Sequence, residues 1–423
     1  MRYLPALLIG RLVRVFVRLV RPGGGSALPG LVVSKLAPKL VYTTLNSFPK
    51  GLVVITGTAG KSTTTKMVVA IARAHGLNVF TNPSTANIEQ GFFSTIVRYG
   101  NLLGKVPGDI AILEMDEGHA ATLVEKVTPR ISVILNVFED QLDRFIDPAL
   151  VREKLKSVAK ATSQSLLLNA DDQNCLIIGS NELSSSVKYF EINDKLEAAT
   201  EARMAYAKTY LPELAKPNCD FEVTELADRS ISIRVSQNDI SFELPSRGVH
   251  FALDAVAAIG VASELLKEQL DLVLTAKVMN ELPPVFSRGE IREVNGQEVE
   301  FILIQNPIST ELNLAHLPKE LGQVFFAIGR DVHDPSWLWT VDMSPMRNVE
   351  TVSGFNFADA ALLLSYQGVP FKKVEEDYFN AIDEFFALPK PMLGRKTVIY
   401  SADAMRRLRR YKGFTDPEDV NRV

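Results

Sequence analysis

Thr56-Gly57-Thr58-Ala59-Gly60-Lys61-Ser62-Thr63-Thr64-Thr65 follows directly on the apolar run Leu52-Val53-Val54-Ile55. The β-branched run predicts a buried strand, the two glycines a turn, and Lys66 to His75 a helix. Strand, Gly-rich turn and helix in that order build a phosphate cradle. The glycines let backbone N–H groups approach phosphate oxygens, and the helix start adds its positive dipole end. Lys61 supplies a point charge for β/γ-phosphates and Ser62 a hydroxyl for Mg²⁺. Gly57, Thr58, Gly60, Lys61, Ser62 and Thr63 are therefore the expected nucleotide-contacting residues. The long P-loop pattern does not fit, because Ile55 stands six residues before Lys61 where that pattern requires Gly. The shorter form, Thr-Gly-Thr-x-Gly-Lys-Ser, is the one present.

Outward from the cradle, strand-like and helix-like stretches alternate. Strands are expected at Leu52–Ile55, Asn78–Thr81, Ile110–Leu113, Ile131–Val137 and Ser165–Asn169. Helices are expected at Thr63–His75, Glu89–Tyr99, Thr122–Lys126 and Pro148–Ala161. This βαβ order predicts an α/β fold with a mostly parallel sheet, whose ligands bind beyond the carboxyl ends of the strands. Three polar segments fall at such ends. Leu113-Glu114-Met115-Asp116-Glu117 places a carboxylate, Glu114, that can hold Mg²⁺ opposite Ser62. Leu135-Asn136-Val137-Phe138-Glu139-Asp140-Gln141-Leu142-Asp143-Arg144-Phe145 adds amides and carboxylates. Thr81-Asn82-Pro83-Ser84-Thr85-Ala86-Asn87 is either a loop that contacts substrate or γ-phosphate, with Asn82, Ser84 and Asn87 as the substrate contacts, or a turn.

The chain has 423 residues, 46% hydrophobic and 23% charged, with a net charge of −4. That length allows two or three domains, and that charge does not fit a nucleic-acid binder. Cysteine is limited to Cys175 and Cys219, without a CxxC pair. Neither a disulfide framework nor a four-Cys zinc site can be built from them, so no zinc is expected and a reducing cytoplasm is. Residues 1–50 differ from the rest: they carry eight Lys/Arg and no acid. Leu4 to Val20 is apolar but holds Arg11, Arg14 and Arg18 at spacings of three and four, along one helical face. The stretch is too short and too charged to span a bilayer, and no signal-peptide cleavage site follows. An amphipathic helix is expected, either packed on the protein or resting on anionic lipid. Arg21-Pro22-Gly23-Gly24-Gly25-Ser26 reads as a linker. Past Arg288, strands at Glu298–Ile304, Gln323–Ile328 and Thr397–Tyr400 with helices near Glu375–Leu388 and from Met405 predict a smaller α/β domain.

The cradle Gly57–Ser62, Leu113-Glu114-x-x-Glu117, Leu135-Asn136-x-x-Glu139-Asp140-x-x-Asp143-Arg144-Phe145 and Leu168-Asn169-Ala170-Asp171-Asp172 together resemble the Mur ligase family, ATP-dependent ligases of peptidoglycan precursor synthesis. Within it the chain is most similar to the MurT branch, the synthetase subunits of lipid II isoglutaminyl synthase. Gln141 stands where most Mur ligases have a metal-binding His. Phe286-Ser287-Arg288-Gly289-Glu290, Gln305-Asn306-Pro307 and Asp334-Pro335-Ser336-Trp337-Leu338-Trp339 resemble segments of that branch. The resemblance runs from about residue 10 to 400. It implies a central P-loop ATPase domain at residues 46–285 (with an insert at about 181–245), preceded by an N-terminal helix and linker at 1–45. A C-terminal domain at 286–423 follows.

The resemblance also implies a reaction. ATP activates the D-Glu α-carboxylate of the lipid II stem peptide, and ammonia from a GatD-like glutaminase partner converts it to D-isoglutamine. The complex would be a heterodimer in the cytoplasm, peripheral at the inner face of the membrane where lipid II lies. Lys61 would neutralise the γ-phosphate, and Ser62 and Glu114 would hold Mg²⁺. Asn169 would contact nucleotide, and Arg288 and Asn306 would close over the phosphates. Asp334 would complete the glutaminase Cys–His pair, with Asp331 three residues away as the alternative. Lys154 stands near the family's carbamoylated Lys, or is an unmodified surface Lys. Two departures stand out. The branch's zinc ribbon is absent or metal-free at 181–245, which holds only Cys219, and its adenine-pocket amides are replaced by Phe251 and Asp254. Phe251 would stack on the base and Asp254 accept from the adenine amino group, or nucleotide affinity would fall. A stand-alone ligase of the Mur or folylpolyglutamate type, and a non-catalytic nucleotide-binding partner protein, remain the alternatives.

Overall fold

Leu52–Thr56 (β1), the helix Lys61–Ala74 (α4) that follows it, and the strands beside β1 form the centre of the first of two compact units. The computed structural model describes residues 3–20, 28–82, 89–101, 103–137, 148–196, 199, 214–284, 287–332 and 335–414. The first unit comprises Met1–Leu244 and Val249–Leu282, the second Pro245–Gly248 and Pro283–Val423.

In the first unit three helices precede β1: Leu4–Val20 (α1), Leu28–Leu36 (α2) and Leu40–Leu45 (α3). After α4 come Val79–Thr81 (β2), Glu89–Tyr99 (α5), Ile110–Glu114 (β3), Glu117–Val124 (α6), Ile131–Ile134 (β4), Pro148–Ala161 (α7), Ser165–Asn169 (β5), Gln173–Gly179 (α8) and Ser186–Ile192 (β6). Phe221–Ala227 (β7), Ser230–Val235 (β8) and Asn238–Glu243 (β9) then form a meander, followed by Val249–Leu266 (α9) and Leu272–Glu281 (α10). The strands make one nine-stranded sheet in the order β2-β3-β1-β4-β5-β6-β7-β8-β9. Pairing is parallel from β2 to β7 and antiparallel across β7-β8-β9. β1, β3, β4 and β5 are buried at every position, as strands covered on both faces must be. β8 and β9 bury only some of their positions, the mark of a sheet with one face toward water.

The sequence expectation of an α/β fold with a mostly parallel sheet holds in this unit. Two boundaries differ from expectation by more than two residues. β4 stops at Ile134 rather than Val137, because Leu135, Asn136 and Val137 spend their backbone groups on loop bonds to Thr56, Thr58 and Asp172. The helix expected at 122–126 starts instead at Glu117, where Asp116 caps it by accepting from Gly118 N at 3.1 Å. Leu7, Val33 and Leu40 from the first three helices join Phe92, Phe93 and Leu113 in one core.

The meander region also holds a cation clasp that nothing in the sequence announced. Lys216 Nζ reaches Asp171 (2.5 Å), Glu191 (3.1 Å) and Asp194 (2.8 Å). Burial raises the Asp171 carboxyl above its ordinary range, against the pull of the Lys216 charge.

The second unit runs Arg288–Val294 (β10), Gln297–Leu303 (β11), Pro307–Ala315 (α11), Val324–Ile328 (β12), Val349–Gly354 (β13), Phe357–Tyr366 (α12), Phe371–Val374 (β14), Tyr378–Ala387 (α13), Lys396–Tyr400 (β15) and Ala402–Tyr411 (α14). Its six strands are ordered β10-β11-β15-β12-β13-β14, antiparallel only at β10/β11. One core gathers Phe326, Met343, Val352 and Leu363, the other Phe301, Phe325, Phe385 and Tyr400. A buried ion pair joins Arg409 to Glu290 at 2.7 Å, and Ser287 N also donates to Glu290 at 2.9 Å.

Candidate nucleotide site

The loop from Gly57 to Gly60 is held from the neighbouring strand end. Thr58 N donates to Asn136 O (3.1 Å) and Ala59 N to Asn136 Oδ1 (2.8 Å), while Asn136 Nδ2 returns a bond to Ala59 O (3.2 Å). Gly57 has φ +130°, and a Cβ there would lie 3.0 Å from the backbone of Leu135 and Asn136. Gly60 has φ +84°, and its Cβ would meet Asp254 Oδ1 at 2.0 Å. Both positions thus require glycine for conformation and for space. α4 begins at Lys61, so the N–H groups of its first turn face the loop without intrahelical partners.

Lys61 Nζ donates to Gly57 O (2.5 Å) and Thr58 O (3.0 Å), and lies 3.7 Å from Glu117. Ser62 Oγ donates to Glu114 Oε1 at 3.0 Å, and both residues are buried. Asn82 fixes Glu114 twice through the backbone: Glu114 N donates to Asn82 Oδ1, and Asn82 Nδ2 to Glu114 O, each at 3.0 Å. The hydroxyl of Thr63 is buried with no hydrogen-bond partner. These features fit a nucleotide phosphate and Mg²⁺. The cradle is too tight for side chains at Gly57 and Gly60, and its metal-facing groups are oxygens, which suit a hard cation.

The other sequence-predicted residues have these places. Asn169 is fully buried; it donates to Leu135 O (3.0 Å) and accepts from Asp171 N (2.9 Å). Asp254, on α9, is buried with its carboxylate against Gly60 and accepting from Thr64 Oγ1 at 3.3 Å. Phe251 is buried on the same helix, its ring 4.3 Å from that of His250. Lys154 is exposed on α7. Arg288 opens β10, and Asn306 caps α11 by accepting from Ser309 N at 2.7 Å; both belong to the second unit. Ser84, Asn87, Gln141, Phe286 and Asp334, and the linker 21–26, lie outside the described residues. Asp331 accepts from Ser401 Oγ at 2.7 Å. Trp337 packs on a core of the second unit, while Trp339 is 40% exposed with its ring 5.5 Å from that of Tyr366.

Three supporting residues stood in the quoted motifs without an assigned role. Asn136 was seen only as one of several polar groups, and its clamp on the loop crosses 77 residues. Glu117 pairs with Lys61. Asp172, fully buried, accepts from Val137 N (2.7 Å), Asn174 N (2.8 Å) and Cys175 N (3.2 Å), fixing the chain just beyond Asn136. Burial pushes its carboxyl up to about 6 despite those three bonds.

Residues 55–262 match the family model of the Mur ligase middle domain. The chain carries a Mur ligase middle domain. The match begins at the end of β1 and runs into α9, so this domain contains the Gly57–Ser62 cradle together with Asn82, Glu114, Asn136, Asp172 and Asp254. Over 402 residues the chain is 25% identical to the lipid II isoglutaminyl synthase (glutamine-hydrolyzing) subunit MurT of Streptococcus pneumoniae, covering 85% of this chain and 86% of that one. It is 24% identical to the subunit of the same name from Staphylococcus aureus, covering 82% and 83%. Among solved structures, the MurF ligase of Thermotoga maritima in complex with ADP superposes with a TM-score of 0.64 at 18% identity, covering 92% of this chain and 85% of that one. The Mur ligase fold thus extends beyond the middle domain over most of the chain.

Proposed function

We propose that this chain is an ATP-dependent carbon–nitrogen ligase of peptidoglycan precursors, and that it amidates the D-Glu α-carboxylate of the lipid II stem peptide. The observation that carries the ligase reading is the Ser62–Glu114 pair at 3.0 Å, set at the mouth of the Gly57–Lys61 loop. The amidation reading is supported by the similarity to MurT subunits over more than four-fifths of the chain.

The substrate carboxylate oxygen attacks the γ-phosphorus of ATP, the bond to the ADP oxygen breaks, and an acyl phosphate forms. Ammonia then attacks the carbonyl carbon, the carbon–oxygen bond breaks with phosphate leaving, and a proton is lost to give the amide. Mg²⁺ held by Ser62 and Glu114 would neutralise phosphate charge. Lys61 and the N–H groups of the first turn of α4 orient the phosphates and stabilise the negative charge that shifts during transfer. To do so Lys61 exchanges its bonds to Gly57 O and Thr58 O for phosphate oxygens. Asn82 and Asn136 keep Glu114 and the loop in place, so that little reorganisation accompanies the reaction. A separate glutaminase subunit supplies the ammonia. The exposed Trp339–Tyr366 pair in the second unit is of the kind that anchors partner subunits.

The test is amidation of lipid II by the purified chain with ATP and ammonium chloride, read by mass spectrometry of the stem peptide. Conversion of carboxyl to carboxamide is expected, with a loss of about 100-fold or more in Lys61→Ala. Product only after a glutaminase subunit and glutamine are added means that the partner completes the site. Product only when an amino acid replaces ammonia moves the assignment to a stand-alone amino-acid ligase. Nucleotide binding with no product in any arm leaves a non-catalytic partner protein.

A further inference from the structure

α1 buries one side and leaves an apolar stripe on the other. Ala6, Leu7 and Gly10 are buried, and a Cβ at Gly10 would come within 2.4 Å of Val33 on α2 and 3.1 Å of Val97 on α5. Arg11 ties the helix down, donating to Val97 O (3.4 Å) and Gly100 O (2.5 Å) at the end of α5. On the opposite side stand Leu8, Leu12, Val15, Phe16 and Leu19. Their spacing places them in a single stripe along the helix. Leu12 is 71%, Phe16 66% and Leu19 76% exposed. α2, packed beside α1, exposes Leu28, Leu31 and Leu36 as well. A helix side that faces only water carries polar residues, and a row of large exposed apolar side chains marks an interaction surface.

Charge selects the partner. Positions 11, 14 and 18, all Arg, run along one border of the stripe, and the first carboxylate in the sequence is Glu89. Two copies meeting through this face would bring two arginine rows together, which is unfavourable. We infer that α1 lies in the interfacial layer of an anionic lipid bilayer, its Leu12–Phe16–Leu19 stripe among the upper acyl chains and its acid-free, cationic border toward the headgroups, with Arg11 remaining bound to the end of α5. Spanning is ruled out: 17 residues make a helix of about 25 Å, short of a hydrocarbon core of about 30 Å, and its other side is occupied by protein. An apolar stripe bordered by cations and free of acids is what interfacial attachment requires.

The full chain, without nucleotide or lipid II, is sedimented with phosphatidylcholine vesicles and with vesicles of equal phosphatidylcholine and phosphatidylglycerol. Binding to the anionic vesicles is expected to be at least about tenfold stronger than to the neutral ones, and to weaken as salt is raised. A Leu12→Gln/Phe16→Gln variant, altered only at exposed positions, keeps the thermal melt and loses binding by about tenfold or more. Absence of sedimentation with either vesicle overturns the inference, as does equal binding by the variant. A wild-type dimer in light scattering that the variant turns into a monomer, without vesicle binding, assigns the face to a second copy and also overturns it. Because no substrate is present, none of these outcomes bears on the ligase reading.

Discussion

Asp172 shows how much of the site rests on residues that touch no ligand. Its carboxylate accepts three backbone N–H groups and secures Val137, one residue after the Asn136 clamp. Burial raises its pKa from 3.8 to about 6. Between those values the folded chain holds more protons than the unfolded chain, so stability falls as pH rises through the window and levels off above it. The effect is on the order of 3 kcal/mol for this fully buried group. Denaturant unfolding across that pH range should show the fall in wild type, and its loss in Asp172→Asn. The variant is also expected to be about 1–3 kcal/mol less stable at low pH, since its amide turns an N–H toward a backbone donor. At this scale the cradle was legible, because Gly57, Gly60, Lys61 and Ser62 act within six consecutive residues. The clamps by Asn82, Asn136 and Asp172 were not, since each joins segments that only the sheet order brings together. Asp254 shows the same limit: a carboxylate on a helix was readable, its position behind Gly60 was not.

Among the elements, β6 and the chain leading into β7 depend on the Lys216 clasp. Three carboxylate oxygens, from Asp171, Glu191 and Asp194, lie within 4.8 Å of one another around that ammonium. Lys216→Met leaves them to repel each other. A cost of about 2–3 kcal/mol is expected, below the roughly 3–5 kcal/mol of a fully buried pair because Asp194 is exposed. Acid should restore part of that loss, since protonation relieves the repulsion, and thermal melts of both proteins at neutral and acidic pH would show it. Regular elements were legible where the hydrophobic run was long and uninterrupted, as in β1, β3 and β5. β10, β13, β14 and α12 went unread because their polar and apolar residues follow no single period, and α6 was read with its start five residues late because that start depends on one capping Asp.

Across the whole molecule, charge and apolar surface are unevenly distributed, and the N-terminal helices combine both. They are not an appendage: Leu7 and Val33 are fully buried in the main core of the first unit. A chain lacking residues 1–27 is therefore expected to melt earlier, by at least the roughly 2–5 kcal/mol of losing one buried leucine, whatever its effect on membranes. Calorimetry of the truncated and full chains would check it; equal stability would falsify the packing role of α1. The overall α/β class was readable from the alternation of strands and helices. The two-sided character of α1 was readable only in part, because a sequence gives the apolar stripe but not which stripe the protein covers.

The late position of α9 in the chain has a consequence for synthesis. This helix packs on β4 to β8, and all but two of its eighteen residues are buried. During translation those strands emerge well before their cover does, so the growing chain passes through a stage with one sheet face bare. When α9 does emerge it is itself exposed until it docks, an apolar helix with a mean hydropathy of 1.6 over its most apolar eighteen residues. Ribosome-bound chains arrested ahead of Val249 should accordingly recruit chaperones and resist refolding on release, whereas chains arrested after Leu266 has left the exit tunnel should shed them.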